Sequence, residues 1–243
     1  MYLQKKANQI RKDIVTLIHH AKCGHIGGDL SVTDILVDLY YKQMNISPEN
    51  VNDENRDRFI LSKGHSVEAL YCVLADKGFF PKEDLDTYSQ YGSKYIGHPN
   101  NKINGIEVNS GSLGHGLSVA VGMALAGKMD KKDYRVYTVI GDGELAEGSV
   151  WEGVMAGGHY KLDNLTAIVD RNRLQISGTT EQVMSQDSQE ERWSVFGWNV
   201  ISIPGNDIEA VDYAIELAKR VKGKPTVIIA NTTKGCGISF MEN

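Results

Sequence analysis

Four short β-rich runs, Arg135–Ile140, Leu165–Asp170, Trp198–Ile203 and Pro225–Asn231, are separated by segments long enough to hold a helix. This alternation restricts the fold more than anything else in the chain. The runs are apolar without strict alternation, as expected of strands covered on both faces. Strands joined through helices imply right-handed crossovers and a parallel sheet flanked by helices. Helical periodicity fills the intervals. Leu3–Lys22 carries Ile10, Ile14, Leu17, Ile18 and Ala21 on one stripe and stops before Gly24. A second helix is expected to open at Ser31, where Ser31-Val-Thr-Asp34 has the form of a capping box. Others are expected over 66–77, 82–90, 116–129, 147–160, 189–196 and 207–221, the last with Ile208, Val211, Ile215, Ala218 and Val221 on one face. No repeat, low-complexity tract or Pro/Ser-rich linker interrupts this order, so residues 1–243 read as a single α/β domain with a mostly parallel sheet.

Composition excludes several functions. With 41% hydrophobic and 23% charged residues the chain can build a core without disulfide or metal staples. Its 26 basic and 31 acidic residues leave a net charge of −5, which offers no field to gather nucleic acid or an anionic membrane. No apolar stretch approaches the ~18 residues of a membrane-spanning helix. The amino end carries Lys5, Lys6, Arg11 and Lys12 without a signal-peptide apolar core, and reads as a helix of the mature fold. Cys23, Cys72 and Cys236 are widely spaced and include no CxxC pair, which argues against a disulfide framework or thiolate zinc and suits a reducing cytoplasm.

Ligands of parallel sheets sit at the carboxyl ends of the strands. That rule points to Gly141, Arg171 and Thr232. The 135–140 run ends in Gly141-Asp142-Gly143-Glu144, and the 165–170 run ends in Asp170-Arg171-Asn172-Arg173-Leu174. A carboxylate and an amide oxygen at neighbouring strand ends suit a hard cation such as Mg²⁺ or Ca²⁺, whose shell is completed by phosphate oxygens and water. The flanking glycines let the backbone crowd a phosphate, and a helix beginning near Glu147 would aim N–H groups at it. Asp-Gly alone is also a common turn. The seven histidines include no H-x₃-H or H-E-x-x-H spacing, so a zinc site is not expected. His19, His20 and His159 read as structural. His25, His65, His98 and His115 each lie beside glycine in an expected loop, where imidazole is suited to proton transfer near neutral pH.

Gly-Asp-Gly after one strand, followed about thirty residues later by Asn172 after the next, resembles the thiamine diphosphate-binding motif. The surrounding blocks resemble transketolases: Gly24-His25, Leu61-Ser-Lys-Gly-His65, Gly97-His98-Pro99, Gly111-Ser-Leu-Gly-His-Gly116, Gly141-Asp-Gly-Glu-Leu-Ala-Glu-Gly148 with Trp151-Glu152, and Asn172-Arg-Leu-Gln-Ile-Ser-Gly178. The resemblance implies the diphosphate-binding (PP) fold, with thiamine diphosphate and Mg²⁺ as cofactors and Ca²⁺ or Mn²⁺ as possible substitutes for the metal. It implies Asp142, the Asn172 side chain and the Leu174 carbonyl as metal ligands, and His65 and the Gly143 amide as diphosphate contacts. Gly111 and Leu113 are implied against the cofactor rings, with Ser112, His115, Gly141, Glu144 and Ile176 among the cofactor-lining positions. His25 and His98 match the histidines that meet the carbonyl and hydroxyl end of the donor sugar. Glu147 and Glu152 match acids near the subunit interface that link paired sites.

In the same family a glutamate of a separate pyrimidine-binding domain acts on the cofactor's aminopyrimidine. The resemblance covers only the amino-terminal part of a one-chain transketolase. It therefore implies the amino-terminal subunit of a split enzyme, whose partner carries the pyrimidine-binding domain and the catalytic glutamate. Self-association into a heterotetramer is implied with it, and the implied reaction is transfer of a two-carbon ketol unit from a ketose to an aldose. The last residues, from Thr232-Thr-Lys-Gly-Cys-Gly onward, enter a family loop that elsewhere leads to a further histidine. A deoxyxylulose-phosphate synthase-like subunit shares the cofactor site, but the Gly97-His98-Pro99 and Gly111-Ser-Leu-Gly blocks favour transketolase. A nicotinamide dehydrogenase is disfavoured, because Gly111-x-x-Gly-x-Gly116 has the wrong order for G-x-G-x-x-G. A non-catalytic binding or regulatory subunit is disfavoured by retention of both Asp142 and Asn172.

Overall fold

The computed structural model describes residues 2–186 and 188–242. Helix α1 spans Tyr2–Ala21, and α2 spans Ile26–Asp38 and continues through a π-helical turn, Leu39–Gln43. Strand β1 (Arg58–Leu61) leads through a 3₁₀ turn at Gly64–Ser66 into α3 (Val67–Asp76). After a second 3₁₀ turn, Lys82–Thr87, come α4 (Gly116–Met129), β2 (Val136–Gly141), a 3₁₀ turn at Gly143–Ala146 and α5 (Gly148–His159). Next are β3 (Leu165–Arg171), a hairpin of β4 (Leu174–Gln175) and β5 (Gly178–Thr179), and the short helices α6 (Thr180–Val183) and α7 (Gln189–Val195). Strand β6 (Asn199–Pro204), α8 (Ile208–Arg220) and β7 (Thr226–Asn231) complete the order.

The main sheet has strand order β1-β2-β3-β7-β6 and every pairing in it is parallel. Alternate side chains of each strand feed opposite faces, as the pleat requires. Val139, Ile168 and Ile228 pack with Ile14, Leu30, Leu70 and Ile215 of α1, α2, α3 and α8. Their neighbours Ile140, Val169 and Ile229 pack with Leu117, Val150 and Trp193 of α4, α5 and α7. The α/β fold with a parallel sheet between two helical layers is the architecture the apolar runs imply. Register brings the strand ends level, with Gly141 beside Asp170 and Arg171 beside Asn231. Among the described residues, no helix is long and apolar enough to cross a membrane.

Three local expectations need correction. Helix α2 begins at Ile26, not Ser31: the His25 carbonyl accepts N–H bonds from Gly28 and Asp29 at 3.0 and 3.2 Å, starting the helix one turn and more before the apparent capping box. Ser31 is fully buried within that helix and its hydroxyl donates to the Gly28 carbonyl and to Asp170 Oδ2. The 82–90 segment forms only a 3₁₀ turn over Lys82–Thr87, and Ser89 adopts a left-handed φ of 60° that ends it. Strand β6 lies at the sheet edge and is only partly covered, unlike the fully buried core of β2, β3 and β7. Strand β1 is not foreshadowed in the sequence; its four residues are too few to show a pattern.

Candidate active site

The carboxyl ends of β2 and β3 are stitched together by Asp142. This side chain is 2% exposed; Oδ1 accepts the Gly143 N–H at 2.9 Å and Oδ2 accepts the Arg173 N–H at 2.5 Å. Burial raises its pKa to about 6 despite these two donors. On the facing loop the Asn172 side-chain oxygen accepts the Leu174 N–H at 3.1 Å. The Leu174 carbonyl accepts the Lys234 ammonium at 3.4 Å, so a cation already lies against this oxygen. Among the described residues no group of three or more His, Cys, Asp or Glu side chains could hold a metal ion. One carboxylate, one amide oxygen and one carbonyl form a weakly charged, all-oxygen donor set. A hard divalent cation bound by such donors would complete its shell with water or with anionic oxygens of a ligand.

Positive charge is arranged behind this set. Lys63, 1% exposed, is ion-paired through its ammonium to Asp170 and donates to the Gly28 carbonyl at 3.2 Å. Asp170 also accepts the hydroxyls of Ser31 and Thr232. Lys234 folds over Gly27, where an added Cβ would come within 3.0 Å of its Cγ. Burial and the neighbouring Lys63 lower the pKa of Lys234. Neither lysine stands out in the sequence by itself. Lys63 lies inside the Leu61–His65 block, and Lys234 lies two residues beyond Thr232, where the strand-end rule pointed.

The histidines converge next to these lysines. His25 precedes α2, and its ring centroid lies 5.7 Å from that of His65 and 6.0 Å from that of His98. Burial, with Lys63 and His25 nearby, drives the pKa of His65 down to about 3, so its imidazole is neutral. The buried Tyr71 hydroxyl donates to the carbonyls of Ile96 and His98 and anchors their loop. Gly111 has φ +138°, and a Cβ there would sit 2.6 Å from His98 Cδ2. Glycine at 111 is what lets the two loops touch. Ser112 is exposed and Leu113 half-buried on the same turn, and exposed His115 precedes α4 without capping it through its side chain.

Other expected residues lie apart from this cluster. Glu144 is 2% exposed and spends both oxygens on the framework, accepting Gly114 N–H at 2.8 Å and Gly141 N–H at 3.1 Å as well as the Ser62 hydroxyl. It holds the loops together beneath the site. Ile176 is fully exposed in the β4–β5 turn. Glu147 caps the start of α5 with its backbone, and both Glu147 and Glu152 face solvent. A separate cavity of about 420 Å³ lies between α1 and the Lys82–Thr87 turn, lined by Thr16, His20, Cys72 and Tyr88 among others.

Residues 3–243 match the family model described as the thiamine diphosphate binding domain of transketolase. The chain belongs to the transketolase family. It is the thiamine diphosphate-binding part of an enzyme of that family, a thiamine diphosphate-dependent transferase. The transketolase domain is 51% identical over 240 residues to the A subunit of the apulose-4-phosphate transketolase of Phocaeicola vulgatus, covering 99% of this chain and 85% of that protein. It is 46% identical over 241 residues to the 6-deoxy-6-sulfo-D-fructose transketolase subunit SqwG of a Clostridium species, covering 99% of this chain and 88% of that protein. The transketolase of Campylobacter jejuni superposes with a TM-score of 0.92 at 35% identity, covering 99% of this chain but 39% of that one. The chain thus spans nearly all of the subunit-type relatives and well under half of the one-chain enzyme.

Proposed function

We propose that residues 1–243 act as one domain, the diphosphate-binding subunit of a two-subunit transketolase. With a partner that carries the pyrimidine-binding domain and its glutamate, it transfers a two-carbon ketol unit from a ketose to an aldose. The observation that carries this reading is the oxygen set of Asp142, Asn172 and the Leu174 carbonyl, backed by Lys63 and Lys234. These three residues would hold Mg²⁺, with Ca²⁺ or Mn²⁺ as substitutes, and His65, Lys234 and the Gly143 amide would face the diphosphate. Gly111 and Leu113 would lie against the rings. Bound thiamine diphosphate supplies the electron sink for carbon–carbon cleavage.

The chain's own residues orient and protonate. His25 and His98 would meet the carbonyl and hydroxyl end of the donor, where protons move as the bond between carbons breaks. His65, neutral under all ordinary conditions, would bind through hydrogen bonds and not through charge. The need for a partner is supported by the subunit names of relatives that this chain nearly spans. Their names also favour a sugar phosphate or a sulfosugar as substrate. Solvent-facing Glu147 and Glu152 would join subunits in a heterotetramer in the cytoplasm.

The test is reconstitution. The chain, a partner subunit with a pyrimidine-binding domain, Mg²⁺ and thiamine diphosphate are mixed and offered apulose 4-phosphate, 6-deoxy-6-sulfofructose and common ketose phosphates. Ketol transfer from at least one donor is expected. Tight cofactor binding with no transfer from any donor would overturn the reaction while leaving the cofactor site.

A further inference from the structure

Two buried carboxyls beside the histidine cluster have no part in the proposed reaction. Asp29, in the first turn of α2, and Glu68, in the first turn of α3, are both 0% exposed. Asp29 Oδ1 accepts the Ala69 N–H at 3.0 Å, tying the two helix starts together. Glu68 Oε1 accepts the Tyr88 hydroxyl at 2.5 Å and lies 3.8 Å from His25 Nδ1. The remaining oxygens, Asp29 Oδ2 and Glu68 Oε2, are buried and have no hydrogen-bond partner among the described residues.

Two adjacent carboxylates cannot both ionise in such surroundings. One shared proton resolves the problem, because it turns one acid into a donor to the other. Burial and the neighbouring Glu68 raise the pKa of Asp29 well above the carboxylate range, so Asp29 keeps the proton. The pair is then held together by a single proton. The groups that face it are Lys63 toward Asp29, Tyr88, Tyr71 and His25 toward Glu68, Cys72 behind both acids, and Cys23 near Tyr88. His65 and His98 flank the His25 ring on its other sides.

We propose that Asp29 and Glu68 form a one-proton carboxyl pair that positions His25, with Glu68 holding the Nδ1–H of the imidazole so that Nε2 is presented to the donor sugar. Its bearing on substrate rests on the transketolase reading of His25; the pairing itself does not. A second-layer carboxylate fixes the tautomer and the ring plane of an active histidine. The Asp29 proton plays a separate part. It lets the two buried carboxyls lie side by side, with Glu68 left facing His25. The Glu68 carboxylate, 3.8 Å away, outweighs desolvation and raises the pKa of His25. Glu68 and Asp29 are therefore positioning residues.

Nitrogen NMR of the full chain with ¹⁵N-labelled histidine tests this, with His25→Gln assigning the signal. His25 is expected to carry its neutral-form proton on Nδ1 and to titrate above the ordinary ~6.5. Glu68→Gln should lower that midpoint to the ordinary value or below and mix the tautomers. Asp29→Asn should leave it in place, because the amide supplies the donor that the acid supplied. An Nε2-protonated wild-type His25, a midpoint at or below ~6.5, or equal shifts in the two variants would overturn the pair. If Glu68→Gln does not fold, the wild-type tautomer and Asp29→Asn still decide. The titration needs neither partner nor sugar, so absence of ketol transfer would count against the proposed reaction and leave the pair standing.

Discussion

Lys63 and Asp170 form an ion pair that is 1% and 0% exposed in its side chains, centred under the carboxyl edge of the sheet. Asp170 has further hydroxyl donors in Ser31 and Thr232, from a helix and from the segment after the last strand. The pair and its two hydroxyl donors join four chain regions and fix the Lys63 ammonium beneath the site.

Breaking it from one side should be costly. Asp170→Asn leaves the Lys63 ammonium buried without a counter-charge, for which about 3–5 kcal/mol is expected. Replacing both partners, as Lys63→Met with Asp170→Leu, should be far less damaging than the sum of the single changes. Urea unfolding of the wild type, Asp170→Asn, Lys63→Met, Asp170→Leu and the double variant measures both effects. Additive losses would show that the two side chains act independently.

Asp142 and Lys234 make different demands on the cofactor. Asp142→Ala should remove the Mg²⁺ dependence of thiamine diphosphate binding, since no other carboxylate belongs to the oxygen set. Lys234→Met should keep that dependence but weaken affinity by about 1.5–3 kcal/mol, the scale of a charged hydrogen bond. Calorimetric titrations with and without Mg²⁺ separate the two patterns. Unchanged metal dependence in Asp142→Ala would remove it from the ligand set.

His65 supplies a pH signature. Its folded pKa is about 3, below the ~6.5 of an unfolded histidine. Between these values the unfolded chain binds a proton that the folded chain does not, so stability falls as pH drops from about 6.5 toward 3. His65→Gln should flatten this part of the acid limb without altering stability trends above about pH 7. Denaturation midpoints measured from pH 4 to 8 give the slopes. Identical slopes would mean that His65 is not held neutral.

Much of this site is written in local sequence because strand ends are local. Gly141, Asp142 and Asn172 follow directly from where the apolar runs stop, and the helices before His159 and Arg220 follow from periodicity. What was hidden depends on contacts between distant segments. Ser31 looks like a helix cap until Asp170, 139 residues away, is seen to take its hydroxyl. Glu144 shows its structural part only once Ser62 and Gly114 are seen to donate to it. Lys234 gains meaning only when its segment folds back over Gly27 and reaches Leu174. Charge placement of this kind leaves no periodic trace.

The contact between Gly111 and His98 yields the last prediction. Gly111→Ala introduces a side chain at φ +138°, where alanine is strained, and places its Cβ 2.6 Å from the His98 ring. Conformational strain alone should cost about 1–2 kcal/mol of stability. The larger effect should fall on the ring, which must leave its place beside His25. Reconstituted ketol transfer is therefore expected to lose about tenfold or more in kcat/KM, equivalent to at least ~1.4 kcal/mol in the transition state. If displacement of His98 is the cause, Gly111→Ala should add little to the loss already produced by His98→Ala, because the group it displaces is gone. Full additivity of the two losses would instead locate the damage at the cofactor face of the loop.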